Sequence, residues 1–315
     1  MSWDATRVVV VVNPAARGGR IGREWARLEP ELTRRLGPVR YVQTEAAGHA
    51  RVLAADAARG GAHVVVSLGG DGTHGEVAAG LMEAGTAAAL GVLHAGTGGD
   101  FRRILKNSGT LLESAAALPA ALATPVDVGE ATCVADDGRP YTRVFLNLAS
   151  AGMSGLVDRL VNASSKRLGG RISFLWCTLR AFFTFRPPTV QVTLDGRDLG
   201  THRLFMLVVA NGRWAGGGMC FAPDALPDDG LFDVVLIPAL GLFKALWVMP
   251  SLYSGRYIRR LGLEVFRGRE VVATPTDAHA AWMDLDGEAP GRLPATFRLH
   301  PAAVPLLGVD HARLR

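Results

Sequence analysis

The sequence predicts an α/β domain with a mostly parallel sheet, followed by a β-rich domain with a few helices. Three observations carry this reading. Short apolar strands alternate with helical segments through the first third of the chain. Two Gly-rich turns, Gly69–Thr73 and Gly96–Asp100, stand where a strand gives way to a helix. After about Val126 the helical periodicity yields to strands separated by Asp195-Gly196, Asn211-Gly212 and Asp229-Gly230 turns.

Arg7–Val12 is a β-branched run stopped by Asn13-Pro14, the pattern of a buried parallel strand and its turn. Gly22–Leu36 reads as helix, Val39–Thr44 as strand and Gly48–Arg59 as an Ala-rich helix. His63–Leu68 is a third strand leading into Gly69. Helix is expected from about His74 to Ala84, then strand Ala89–Leu93. In the second half, strands are expected at Arg143–Leu148, Val190–Leu194, Leu204–Asn211, Leu231–Ile237 and Arg269–Thr274. Helices are expected at Ile172–Phe185 and Leu240–Tyr253. The domain boundaries expected are 1–128 and 129–294.

Composition narrows the class. With 315 residues, 49% of them hydrophobic, the chain can bury a substantial core. The 38 glycines cluster at turns without period, which excludes collagen-like and disordered readings. The net charge of +5 suits acidic partners such as a nucleotide or an anionic membrane; a nucleic-acid partner is not expected. Cys133, Cys177 and Cys220 are odd in number and widely spaced with no CxxC, which argues against a disulfide framework and for a reducing cytoplasm. The apolar region Leu231–Tyr253 is interrupted by Asp233, Pro238, Lys244 and Pro250, so no spanning helix is expected.

The chemistry concentrates in Gly69-Gly70-Asp71-Gly72-Thr73-His74-Gly75. Glycines let backbone approach a ligand, and the helix that follows offers free N–H groups to phosphate. Asp71 is placed to bind Mg²⁺ or to orient a hydroxyl; the plainer alternative is a tight turn with Asp71 as a helix cap. The second loop, His94-Ala95-Gly96-Thr97-Gly98-Gly99-Asp100, repeats the arrangement and suggests two sides of one phosphate site. No Walker, dinucleotide or protein-kinase signature occurs.

These motifs, with Asn13-Pro14 upstream, Gly216-Gly217-Gly218-Met219, Ala222-Pro223-Asp224-Ala225, Asp228-Asp229-Gly230-Leu231 and Asp286-Gly287-Glu288 downstream, resemble the diacylglycerol kinase catalytic family. The resemblance covers nearly the whole chain. It implies an N-terminal domain like that of NAD kinases and 6-phosphofructokinases, a C-terminal β-sandwich, a last segment (295–315) that returns to pack on the first domain, and transfer of phosphate from ATP to a lipid hydroxyl, with diacylglycerol favoured. It implies ATP contacts from Asn13, Thr44, Gly69, Gly70, Asp71, Gly72, Thr73, His74, Gly75 and Thr97. A Mg²⁺ ion would be held by the Asp229 carboxylate and the carbonyls of Leu226 and Leu231, a hard-oxygen set. Asp286 would be the general base on the lipid hydroxyl, with Glu288 beside it. Asp100, Asp127 and Asn147 would support this network, and Asp284 would be solvated or structural.

Two positions depart from the family pattern: Gly75 and Gly99 stand where Asn is usual, removing two hydrogen-bonding amides. The basic stretch Lys166–Arg171, next to an aromatic helix, suits peripheral docking at an anionic bilayer. The competing functions are a ceramide or sphingoid-base kinase, an NAD kinase, and a non-catalytic nucleotide- or lipid-binding regulator. Oligomeric state is open, with a homodimer as one option.

Overall fold

The computed structural model describes residues 3–96, 98–106, 109–163 and 170–314. The chain divides into two compact units. The first takes the chain through Val128, with Pro227–Asp229 and His300 onward; the second takes Gly129–Leu226 and Gly230–Leu299.

In the first unit, β1 (Val8–Val12) lies between β2 (Arg40–Gln43) and β3 (Val64–Gly69), and β3 pairs with β4 (Ala89–His94), all parallel. Val9 pairs with Val65 and Val65 with Leu90, so the three strands end in register at the loops that follow. All five valines of β1 are buried; burying each side chain contributes about 1.5–3 kcal/mol. The helices are α1 (Ala16–Arg23), α2 (Trp25–Leu36), α3 (His49–Arg59), α4 (Asp71–Ala84) and α5 (Leu111–Ala117). Gly80 sets the distance between α3 and α4, because a Cβ there would stand 2.2 Å from the Arg51 carbonyl oxygen.

The second unit begins with β5 (Ala123–Val134), which starts in the first, and continues through β6 (Pro140–Phe145) and β7 (Leu148–Gly152). Helices α6 (Met153–Ala163) and α7 (Gly170–Thr184) follow, then β8 (Thr189–Leu194), β9 (Arg197–Ala210), β10 (Trp214–Ala215), β11 (Met219–Cys220) and β12 (Phe232–Pro238). Next come α8 (Leu242–Leu252), α9 (Tyr257–Leu261), β13 (Val265–Gly268), β14 (Glu270–Pro275), β15 (Met283–Leu285) and β16 (Arg292–Leu307). Strand β9 serves two sheets: its first half pairs with β8, its second half with β12 and β7, all antiparallel. Such a switching strand makes the corner of a sandwich. Side chains alternate accordingly. Leu207 and Val209 face the core with Phe145, Phe232, Val192 and Phe297, whereas Met206 and Val208 pack on the α8 and α9 side. Phe145 and Phe232 stack with centroids 5.6 Å apart. The end of β16 belongs to the first unit, where Leu306 pairs parallel with Leu90.

Three expectations need correction. The single strand expected at Arg143–Leu148 is broken, because the amides of Leu146, Asn147 and Leu148 all donate to the Asp286 carboxylate. Consecutive amides of a strand point to opposite sides and cannot converge in this way. The helix expected at Gly22–Leu36 is interrupted at Glu24, and α1 itself opens with left-handed Arg17, Gly18 and Gly19. Helix α4 starts at Asp71 rather than His74, with extended Gly70 as its N-cap residue.

Candidate active site

In the first unit, the carboxyl ends of β1, β3 and β4 bring three sequence-distant loops together. The Asn13 Nδ2 amide donates to Thr73 Oγ1 at 2.9 Å, and Asn13 Oδ1 accepts the Ala15 N–H at 2.9 Å. The Thr44 N–H donates to the Val12 carbonyl at 2.9 Å, placing the β2 loop beside that of β1. The two Gly-rich turns are joined twice: the Ala95 N–H donates to the Gly69 carbonyl at 2.6 Å, and the Gly99 N–H donates to Asp71 Oδ2 at 3.0 Å. Asp71 is the first residue of α4, after its N-cap residue Gly70. Its carboxylate reaches out of the first turn of α4 and holds the second loop. Gly70 and Gly96 approach so closely that a Cβ on Gly96 would stand 3.1 Å from the Gly70 Cα.

Behind these turns runs a histidine pair. His74 Nδ1 lies 2.7 Å from Ser67 Oγ, His74 Nε2 lies 3.3 Å from His94 Nδ1, and His94 Nε2 accepts the Gly96 N–H at 3.1 Å. The last bond fixes the tautomers: His94 carries its proton on Nδ1 and donates to His74, which donates onward to Ser67. Both rings are neutral. Burial, and then the neighbouring His94, pushes His74 well below its ordinary value. Burial, and then the Arg102 charge, pushes His94 down to about 4, with Arg17 adding to the effect. The 3.8 Å approach of His94 Nδ1 to Asp71 Oδ1 is consequently not an ion pair at neutral pH.

Among the described residues, Asp71, His74 and His94 form a group close enough to hold a metal ion. The hydrogen bonds oppose it. Freeing His94 Nδ1 for a metal moves its proton to Nε2, where it would confront the Gly96 N–H. Arg17 and Arg102, which the sequence reading did not single out, put two cations near His94. Glu76 was missed too: its carboxylate accepts from Gly48 and Ala50 N–H at the start of α3. The signal for Glu76 was an acid one residue past the Gly-rich motif. Gly75 is buried within α4, Gly72 lies in its first turn, and Thr97 lies outside the described residues.

In the second unit, Asp286 sits at φ 51, a left-handed conformation, between β15 and Gly287. Its carboxylate accepts the amides of Leu146 (2.7 Å), Asn147 (3.2 Å) and Leu148 (2.8 Å). Burial pushes this carboxyl up to about 6, against the pull of those amides and of Arg143. Glu288 pairs with Arg143, and both line a cavity of about 450 Å³ with Tyr141, Gly287, Ala289 and Pro290. Asp284, expected to be solvated or structural, is buried. Burial and the Asp158 carboxyl raise it well above the ordinary range, while its Oδ1 accepts the Gly287 N–H at 2.7 Å. Asn147 is buried with Nδ2 on the Trp214 carbonyl.

The turn proposed for a metal is divided between the units, with Asp229 in the first and Leu226 and Leu231 in the second. Asp228 is engaged by His311 at 3.4 Å, whereas Asp229 is partly buried in the turn. One carboxylate and two peptide carbonyls fit a hard cation in chemical type. Asp127 anchors the first unit: its N–H donates to the Pro227 carbonyl and its Oδ1 accepts the Ala302 N–H, both at 2.7 Å. Asp100 pairs with Arg103.

Residues 7–131 match the diacylglycerol kinase catalytic domain, and residues 147–308 match the YegS C-terminal NAD kinase beta sandwich-like domain. The chain belongs to the diacylglycerol kinase-like family of lipid kinases. A Pseudomonas putida protein named "Probable lipid kinase YegS-like" is 30% identical over 266 residues, covering 83% of this chain and 85% of the relative. A solved structure from Bacillus anthracis strain Sterne aligns with a TM-score of 0.76 at 20% identity, covering 99% of this chain and 97% of that one. A diacylglycerol kinase from the same organism aligns with a TM-score of 0.68 at 20% identity, covering 97% of each chain. The α/β first domain and the β-rich, sandwich-like second domain are the fold that the sequence led us to expect.

Proposed function

We propose that this lipid kinase transfers the γ-phosphate of ATP to the free hydroxyl of diacylglycerol, giving phosphatidic acid and ADP. The observation that carries the reading is the double tie between two Gly-rich strand-to-helix turns through Ala95 and Asp71. Backbone amides at the start of α4 can cradle phosphate oxygens, while those of Ala95, Gly96 and Gly99 hold the second loop in place. Asn13, Thr44 and Thr73 complete the nucleotide site, and Arg17 and Arg102 supply positive charge beside it.

In this reaction the lipid oxygen forms a bond to the γ-phosphorus while the bond from that phosphorus to the β,γ-bridging oxygen breaks. The hydroxyl proton passes to Asp286, whose carboxyl near 6 suits a base at neutral pH. Glu288, paired with Arg143 beside the cavity, orients the acceptor. Asp71 keeps the two loops in register. The Asp229 carboxylate and the carbonyls of Leu226 and Leu231 would hold a Mg²⁺ ion, which would supply positive charge against the phosphates. Catalysis then rests on positioning and electrostatics.

The enzyme would work from the cytoplasm as a peripheral visitor to the bilayer; no described helix is long and apolar enough to cross one. Of the proposed docking segment Lys166–Arg171, residues 166–169 lie outside the described residues, while α7 exposes Trp176, Leu179 and Phe183. The test is competition among diacylglycerol, ceramide and sphingosine in mixed vesicles, with the products identified by mass. Phosphatidic acid as the main product is expected. Preferential phosphorylation of ceramide or sphingosine overturns the acceptor.

A further inference from the structure

Helix α8 is apolar on two opposite faces. Ala245 and Val248 are buried, and Val248 packs on the outer side of the sheet in a cluster with Met206, Val235 and Ile237. On the other side, Phe243 is 87% exposed, Trp247 57% and Tyr253 60%, and Leu246 lies between them. Spacings of three (Phe243 to Leu246), four (Phe243 to Trp247) and seven (Leu246 to Tyr253, the residue that ends the helix) put these four on one stripe. A helix with a core face and a second apolar face in water marks an interaction surface.

The surroundings say what covers it. From Val234 to Leu263 the chain has no acidic residue, and it carries four cations: Lys244, Arg256, Arg259 and Arg260. All four are exposed. The Arg260 guanidinium stands 5.1 Å from the centre of the Trp247 ring and donates to the Trp247 carbonyl at 3.4 Å, so one cation is held at the edge of the apolar stripe. Phe and Leu suit acyl chains, Trp and Tyr suit the headgroup boundary, and the arginines suit lipid phosphates. Two copies of this chain joined face to face by a twofold axis would bring like charges together.

We infer that the outer face of α8, with the basic α9 that follows it, is a docking surface for an anionic bilayer. This is separate from the segment before α7 named above. It rests on the lipid-kinase reading only for why a bilayer is met at all. Docking is measured without ATP or an acceptor, so its failure is distinguishable from failure of the proposed reaction.

The experiment is sedimentation of the full chain with phosphatidylcholine vesicles, with and without phosphatidylglycerol, for the wild type and a Phe243→Ser/Trp247→Ser variant. Thermal melts check folding, which outward side chains should leave intact. The double variant is expected to lose about tenfold or more in partitioning, the loss of two interfacial aromatics. Arg256→Gln/Arg259→Gln should weaken binding to anionic vesicles and leave the weak binding to neutral vesicles unchanged. In Trp247→Phe, docking persists while quenching of tryptophan fluorescence by brominated lipid falls. Wild-type partitioning in the double serine variant, or undiminished quenching in Trp247→Phe, overturns the proposal. So does a lipid-free wild-type dimer that these serines convert to monomer, because the face would then be an interface between copies.

Discussion

Returning Asn to position 99, the residue usual in the family, should damage this chain. Gly99 has φ +99, and a Cβ there would stand 2.6 Å from His94 Nε2, 2.8 Å from Cδ2 and 2.9 Å from Cε1. The ring cannot retreat freely, because it is tied to His74 on one side and to the Gly96 N–H on the other. Moving it forfeits those two hydrogen bonds, about 0.5–1.5 kcal/mol each. The left-handed backbone adds about 1 kcal/mol for a residue with a Cβ. Gly99→Asn should therefore cost about 2–4 kcal/mol and lower the Tm by roughly 5 °C or more. On a His94→Ala background the ring is gone, and only the backbone part, about 1 kcal/mol, should remain. The assay is a double-mutant cycle in thermal melts, with ATP affinity by calorimetry on the same preparations. If Gly99→Asn costs the same with and without His94, the steric coupling is refuted.

Further outcomes follow from the titrating groups and from α4. The Asp286 carboxyl is raised, so the folded state holds a proton between the ordinary carboxylate range and about 6; its contribution to stability is full at low pH and is lost as pH rises through 6, while kcat/KM should rise through the same point. Asp286→Asn should remove that kinetic limb and spare ATP binding, whereas equal loss of both would make Asp286 structural. Asp284 is raised beside Asp158, so Asp284→Asn should be neutral to stabilising at pH 8 and lose that advantage at low pH, read from melts at several pH values. His94 titrates near 4 in the fold against 6.5 otherwise; its share of stability is present above 6.5 and falls away toward pH 4, by about 3 kcal/mol in all, and His94→Gln should flatten that acid limb. Gly80→Ala should cost at least about 2 kcal/mol by forcing α4 off α3, and a wild-type Tm would contradict that packing.

The alternation of strand and helix in the first unit was legible because each strand is a short apolar run ended by Gly, Asn or Pro. Local chemistry dominates there. The second unit was harder to read. The break at Leu146-Asn147 is made by Asp286, about 140 residues away in sequence, and no local pattern announces it. Helix α6 was missed for a similar reason: Met153 and Val157 are helical through packing on Ala181 and Phe205. At the candidate site, the two Gly-rich turns could be found from glycines, yet the contact that Asp71 makes could not. A carboxylate in the first turn of a helix looks like a cap, and only the parallel register of β3 and β4 brings the Gly99 N–H to it. The histidine pair shows the same limit, since His74 and His94 meet through that register and not through spacing.

The most direct test is transfer of label from γ-labelled ATP, with Mg²⁺, to diacylglycerol in anionic vesicles, by the wild type and by Asp71→Asn side by side. The account predicts labelled phosphatidic acid from the wild type and a loss of at least about tenfold, some 1.4 kcal/mol of barrier, in a variant that melts like the wild type. Undiminished transfer by Asp71→Asn, or label reaching NAD and no lipid, would contradict it.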